Sequence, residues 1–153
     1  MPIILSSPAF SEGGVIPKRH TGEGDNLSPA LSWSRFPSST KSFVLQVEDP
    51  DAPSGTFIHW VLFNIPPEVK QLTEGLPEKS VLPGIGQQAT NDAQEIGYFG
   101  PYPPPGKPHR YFFKIFALDR KVDLSTGCTF SQVQKAMRDH ILDTGSLMGT
   151  YRR

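Results

Sequence analysis

Two short stretches concentrate the groups that could do chemistry. Asp49-Pro50-Asp51-Ala52-Pro53 is followed by His59, and Tyr98-Phe99-Gly100-Pro101-Tyr102-Pro103-Pro104 leads into His109-Arg110-Tyr111. Each sets a proline-stiffened loop against the start of an apolar strand and places a histidine at the boundary. His109 and Tyr111 are two apart, so on a strand they face one side. Asp49 has the parity of Phe43 and Val47, a buried face, and a buried carboxylate needs defined partners. His59 has the parity of Phe57, Val61 and Phe63, and an imidazole in apolar company needs a partner too. An X-Pro bond adopts cis far more readily than others, so Asp49–Pro50 is a candidate for it. Gly100 allows close backbone approach and can offer a free N–H to an anion.

Together these residues describe a small cavity with two imidazoles, a phenol, backbone donors and one or two carboxylates. A pure anion trap would omit Asp49 and Asp51, and a pure cation trap would omit two histidines. The mixture suits a ligand bearing both phosphate and amine, or a protonated phosphate monoester. Other chemistries are weaker. An Asp49–His59 pair with Ser54 or a water as nucleophile would make a small hydrolase or lyase, but no Gly-x-Ser-x-Gly elbow is present. His59, His109 and Asp49 lack the tight spacing of a zinc site, so no metal is expected. Pro101 to Pro108 contains Pro-x-x-Pro, yet it runs straight into a strand and reads better as a pocket wall than as a polyproline ligand. His20 reads as an exposed loop residue, His140 as part of a packed helix face, and Cys128 as a buried, inert thiol.

The elements that position the site are mostly strands. Residues 43 to 48 alternate, with Gln46 and Glu48 opposite the apolar face. Residues 57 to 65 and 111 to 118 are apolar on both faces, as strands covered on both sides are. Shorter strands are expected at 3 to 5, 30 to 33 and near 147 to 152. Thr129 and Gln132 form a capping-box pattern, and Phe130, Val133, Ala136, Met137 and Ile141 recur at helical spacing, with Gly145 as the stop. The region from Pro83 to Pro108 has no periodicity and reads as an ordered wall around a site. The pattern predicts a mainly β fold, a β-sandwich with a C-terminal α-helix.

The bulk composition narrows the classes. The 153 residues carry 15 basic and 15 acidic side chains, so net charge is zero and a basic face for duplex DNA is missing. At this length, residues 1–153 read as a single domain able to bury a core without cross-links. One cysteine fits a reducing, cytoplasmic compartment, and neither a signal-peptide core nor a bilayer-length apolar run is present. Sixteen prolines are about twice the usual share, which keeps strands short and loops numerous.

Beyond these inferences, the chain resembles the phosphatidylethanolamine-binding protein family, also called Raf kinase inhibitor-like proteins, in its short bacterial and archaeal form. The resemblance runs through Asn26-Leu27-Ser28-Pro29-Ala30-Leu31-Ser32-Trp33, the Asp49–Pro53 run, His59-Trp60, Gly97–Pro101, Pro103-Pro104, His109-Arg110-Tyr111 and Gly149-Thr150-Tyr151. It implies an antiparallel Greek-key β-sandwich and a pocket for phosphate, sulfate, acetate or a phospholipid head group. By that resemblance Asp49, His59, Gly100, Pro101, His109 and Tyr111 line the pocket, and Asp51, Pro53, Trp60 and Tyr98 stand at its mouth or behind it. It implies a non-catalytic binding protein with no cofactor and no metal. A regulated partner such as a kinase or protease is a further implication, and monomer and homodimer both stay open.

Overall fold

The computed structural model describes residues 2–153. Among the described residues, nine strands, one short 3-10 helix (Lys18–His20) and one α-helix follow in chain order. The strands are β1 (Ile4–Ser6), β2 (Leu31–Ser34), β3 (Ser42–Asp49), β4 (Phe57–Ile65), β5 (Gln71–Leu72), β6 (Val81–Leu82), β7 (Gly86–Gln88), β8 (His109–Leu118) and β9 (Ile141–Tyr151), with α1 (Phe130–Met137) before β9. Two antiparallel sheets result, ordered β1-β2-β5 and β6-β7-β4-β3-β8-β9. Strands β3, β4 and β7 lie side by side, and β8 returns to the far side of β3. That order is a Greek key. Its long return, residues 89 to 108, supplies the wall expected from the aperiodic proline-rich stretch.

The main core fills the space between the sheets. Phe43, Leu45, Trp60, Leu62, Phe113 and Ile115 from the large sheet meet Leu31 and Trp33 from the small one, all nearly or fully buried. A second cluster lies on the outer face, where Val44, Ile58, Val61 and Phe63 meet Val133 and Met137 of α1. Strand β3 is therefore buried on both faces, contrary to the alternation read from its sequence. Gln46, expected outward, is 5% exposed, and its Oε1 accepts from Gln134 Nε2 of the helix at 3.0 Å.

The capping box at Thr129 forms as expected: Thr129 Oγ1 accepts from Gln132 N, and Gln132 Oε1 accepts from Thr129 N. The helix nevertheless ends at Met137, not near Gly145. Asp139 takes a left-handed conformation (φ 68°), and Ile141 opens β9. The helical spacing of Ile141 was accidental. Gly145 sits mid-strand because a Cβ there would come within 2.1 Å of the Ile3 carbonyl oxygen. His140 lies past the helix end, with Nδ1 2.9 Å from Asp119 Oδ1, rather than on a packed helical face.

Strand β4 departs twice from regular pairing. Val47 faces Trp60 and Glu48 faces Ile58, which leaves His59 as an extra residue; a second shift lies between the partners of Phe43 and Leu45. Asn64, at the second shift, has φ 54°. Its amide is fully engaged, Nδ2 donating to Val122 O (2.8 Å) and Oδ1 accepting from Val122 N (2.7 Å). Bulges of this kind re-aim side chains. Ile58 and Trp60 consequently fall in different cores despite their shared parity.

Replacing Thr129 by Ala removes one arm of the capping box and should lower the unfolding free energy by about 1 kcal/mol. Urea denaturation followed by tryptophan fluorescence would read this as a lower midpoint with an unchanged slope.

Candidate functional site

The site forms where β3 ends and β8 begins. Asp49 is 3% exposed and its carboxylate is fully answered. Oδ1 accepts from Asp51 N at 2.8 Å, an Asx turn that stiffens the proline loop. Oδ2 accepts from His109 Nδ1 at 2.7 Å. All peptide bonds among the described residues are trans, so the Asp49–Pro50 bond does not use the cis form. Asp51 turns away from the cavity and grips Arg110: backbone N and Nε reach Oδ2, and a terminal guanidinium nitrogen reaches Oδ1, each at 2.9 Å. The hydrogen bonds from Arg110 are the largest influence on that carboxyl, and they hold it down at about 2. Asp51 thus stands behind the cavity as a clasp between the loop and β8.

His59 owes its position to the bulge in β4. Sequence parity placed it with Val61 and Phe63, but those two face the helix-covered core. His59 instead packs against Phe57, Tyr111 and Phe99, with ring centroids 4.8, 5.3 and 5.8 Å away. The backbone around the bulge is satisfied by the Greek-key return. Ile58 N donates to Asp92 Oδ2 (2.7 Å), Asp92 N to Ile58 O (2.9 Å) and Phe99 N to His59 O (3.0 Å). His59 Nδ1 closes the exchange by donating to Phe99 O at 2.5 Å. Burial pushes this imidazole below its usual 6.5, more strongly than the Phe99 carbonyl and the Asp49 and Asp92 charges raise it. Tyr111 is almost fully buried beside it, and burial, then the Asp49 charge, pushes its phenol well up.

The segment from Tyr98 to Pro104 is fastened at several points. Tyr98 Oη donates to His20 O at 2.7 Å, Gly100 N to Asn26 Oδ1 at 2.9 Å, and Gly22 N to Pro101 O at 2.8 Å. The Gly100 N–H is therefore not free for an anion. Glycine is needed there for space, since a Cβ would lie 2.4 Å from Asn26 Oδ1 and 2.5 Å from His20 O. Gly100 and Pro101 stand behind the cavity rather than on it. Trp60 is likewise structural: it is fully buried, donates from Nε1 to Gln88 Oε1 at 2.7 Å and packs on Tyr98. His20, expected in solvent, is 1% exposed, with Nδ1 2.8 Å from Leu27 O.

What remains is a cavity of about 130 Å³. Asp49, His59, His109, Tyr111 and Pro53 line it. Its other walls are Ala52, Phe57, Phe99, Tyr102, Pro103 and Pro104. Sequence reasoning had the region from Pro83 to Pro108 as a wall but did not single out Phe57, Phe99 or Tyr102. Nor did it find Arg153, whose guanidinium lies 4.0 Å over the Tyr102 ring and whose Nε donates to Pro103 O. No signal near residue 153 could have shown that it meets a loop fifty positions away. Among the described residues, no cluster of three or more His, Cys, Asp or Glu side chains could hold a metal ion. No helix among them is long and apolar enough to cross a membrane.

The depressed Asp51 carboxyl ties stability to pH. Its folded value lies below the usual 3.8, so its contribution is complete above 3.8 and is lost as pH falls through about 2. Asp51→Asn should melt below wild type at pH 7, and the gap should close between pH 4 and 2. Thermal melts across that range would show it; a gap constant with pH would separate stability from the Asp51–Arg110 clasp.

Comparison with known proteins agrees with this architecture. The family model for phosphatidylethanolamine-binding protein matches residues 6–152. A UPF0098 protein of Methanothermobacter thermautotrophicus is 46% identical over 149 residues, covering 97% of this chain and 98% of the relative. The crystal structure of a phosphatidylethanolamine-binding protein homologue from Chlamydia trachomatis superimposes with a TM-score of 0.89 at 42% identity, covering 99% of this chain and 98% of that one. Escherichia coli YbcL, described as a new member of the mammalian family, superimposes with a TM-score of 0.92 at 32% identity over 100% of this chain and 99% of its own. With a nine-strand Greek-key sandwich, a cavity at the meeting of its two signature loops, and a family match along nearly its whole length, the chain belongs to the phosphatidylethanolamine-binding protein family.

Proposed function

We propose that this chain is a non-catalytic binding protein whose pocket takes a small phosphate-bearing anion, either a phospholipid head group or another phosphorylated ligand. The observation that carries the reading is the convergence of His59 and His109 on one cavity, each with Nδ1 engaged by the protein. Neither Nε2 has a hydrogen-bond partner among the described residues. The cavity joins that polar pair to an apolar rim of Phe57, Phe99, Tyr102 and prolines, which suits an anion carried on a short organic group.

The hydrolase reading has less support. Asp49 is hydrogen-bonded to His109, not to His59, so the proposed Asp49–His59 base pair is not formed. No Ser, Thr, Cys or Lys side chain lines the cavity among the described residues, and Ser54 is exposed in its turn. Nothing in this geometry prepares a nucleophile. The single thiol, Cys128, is buried, and burial pushes it above its usual value, which fits residence in a reducing compartment such as the cytoplasm.

Calorimetry with O-phosphoethanolamine and with inorganic phosphate tests the proposal. Wild type should bind, and His109→Ala should bind at least about tenfold more weakly, as expected for loss of a charge-assisted hydrogen bond. Equal affinities would remove the pocket from the assignment. Turnover of p-nitrophenyl acetate or phosphate that disappears in His59→Ala would replace it with the hydrolase.

A further inference from the structure

Residues 102–108 form the outer wall of the pocket, and their composition limits how they can be held. Four of the seven, Pro103, Pro104, Pro105 and Pro108, carry no N–H, so the stretch has too few donors to join either sheet. Pro103 is buried and the other six are exposed. Tyr102, Pro103 and Pro104 nevertheless line the cavity. The three consecutive prolines have fixed φ and make one stiff unit. Gly106 ends that unit with φ 139°, a turn that favours glycine.

This strap is anchored at both ends. Just before it, Pro101 O accepts from Gly22 N, and just after it, His109 pairs with Tyr151 in the sheet. Between those anchors, every hydrogen bond of the strap among the described residues goes to Arg153. Arg153 Nε donates to Pro103 O at 2.5 Å, and Gly106 N reaches Arg153 O at the long distance of 3.5 Å. The guanidinium also lies 4.0 Å over the Tyr102 ring, a cation–π contact. Among the described residues Arg153 forms no ion pair, and it does not itself line the cavity. Its charge and its donor are both spent on the wall.

Resting on the binding function proposed above, we propose that Arg153 is a positioning residue of the pocket, the latch that holds the 102–108 strap so that Tyr102, Pro103 and Pro104 stand ready against the ligand. Without the latch, the same wall must be ordered when the ligand arrives, and that ordering is subtracted from the affinity. Arg153 acts through Tyr102 and Pro103 and does not touch the anion.

Calorimetry with O-phosphoethanolamine on wild type, Arg153→Met, Tyr102→Leu and the double variant makes the test. Methionine keeps an unbranched apolar stem and removes the donor and the charge. Arg153→Met should bind about tenfold more weakly than wild type. In the Tyr102→Leu background the same change should cost less than about threefold, because the ring on which the latch closes is gone. A loss of about tenfold in both backgrounds would mark a direct contact with the anion and overturn the positioning role. Arg153→Met binding within about twofold of wild type would overturn it too, and would leave the anion site standing. The strap belongs to neither core, so the melting temperature of Arg153→Met should stay within about 2 °C of wild type. A larger fall would assign Arg153 to global stability and overturn the latch. No binding by wild type would overturn both this inference and the binding function on which it rests.

Discussion

A carboxylate sealed from water must be answered in full, and Asp49 is the point where this chain meets that demand. Its two oxygens are met by Asp51 N and His109 Nδ1. Leaving such a group unpaired would cost far more than the pair itself contributes. The arrangement therefore works chiefly as a constraint. The end of β3, the proline loop that follows it and the entrance of β8 have one mutual placement in which the charge is accommodated. The Asp51–Arg110 clasp repeats the same link one step out, in solvent, where geometry rather than burial holds it. The polar half of the cavity is a by-product of satisfying these groups.

The aromatic half is built by a different rule. The return from β7 to β8 runs along the open edge of β4 and pairs with it piecemeal, through Ala89, Asp92 and Phe99. Each of these contacts satisfies a backbone group that β7 is too short to reach. Phe99 and Tyr102 are carried to the cavity by that zippering. The tight steps are set by Gly100 against Asn26 and by Tyr102 against Gly22, where a Cβ would come within 2.9 Å of the tyrosine ring. The wall is ordered because nearly every residue in it has a task in the backbone ledger of its neighbours.

The sequence carried much of this. Most strand positions, the helix cap and the sandwich class were readable from alternation, spacing and proline placement. Three things were not. The bulge at His59 leaves no local trace, because a period-2 pattern in a strand buried on both faces is too weak to show a slip. The helix boundary was blurred by Ile141, which fitted a helical period while serving as the first residue of a strand. Gly100 was read for its N–H when its missing Cβ was what mattered, and that depends on Asn26 and His20, remote in sequence. Arg153, His20 and Asn26 act through contacts that only the fold creates.

The two irregularities in β4 behave like paired frame shifts. The first moves Trp60 and Leu62 to the inner side while His59 stays there too, and the second, at Asn64, restores the phase so that Ile65 is inner again. Inner and outer residues between them are assigned by these offsets and not by hydrophobicity, since both sides are apolar. An insertion or deletion confined to this nine-residue segment would leave its composition almost unchanged yet exchange the tenants of the two cores. The chain can thus vary freely in its surface turns, but the length of this one segment is fixed by counting.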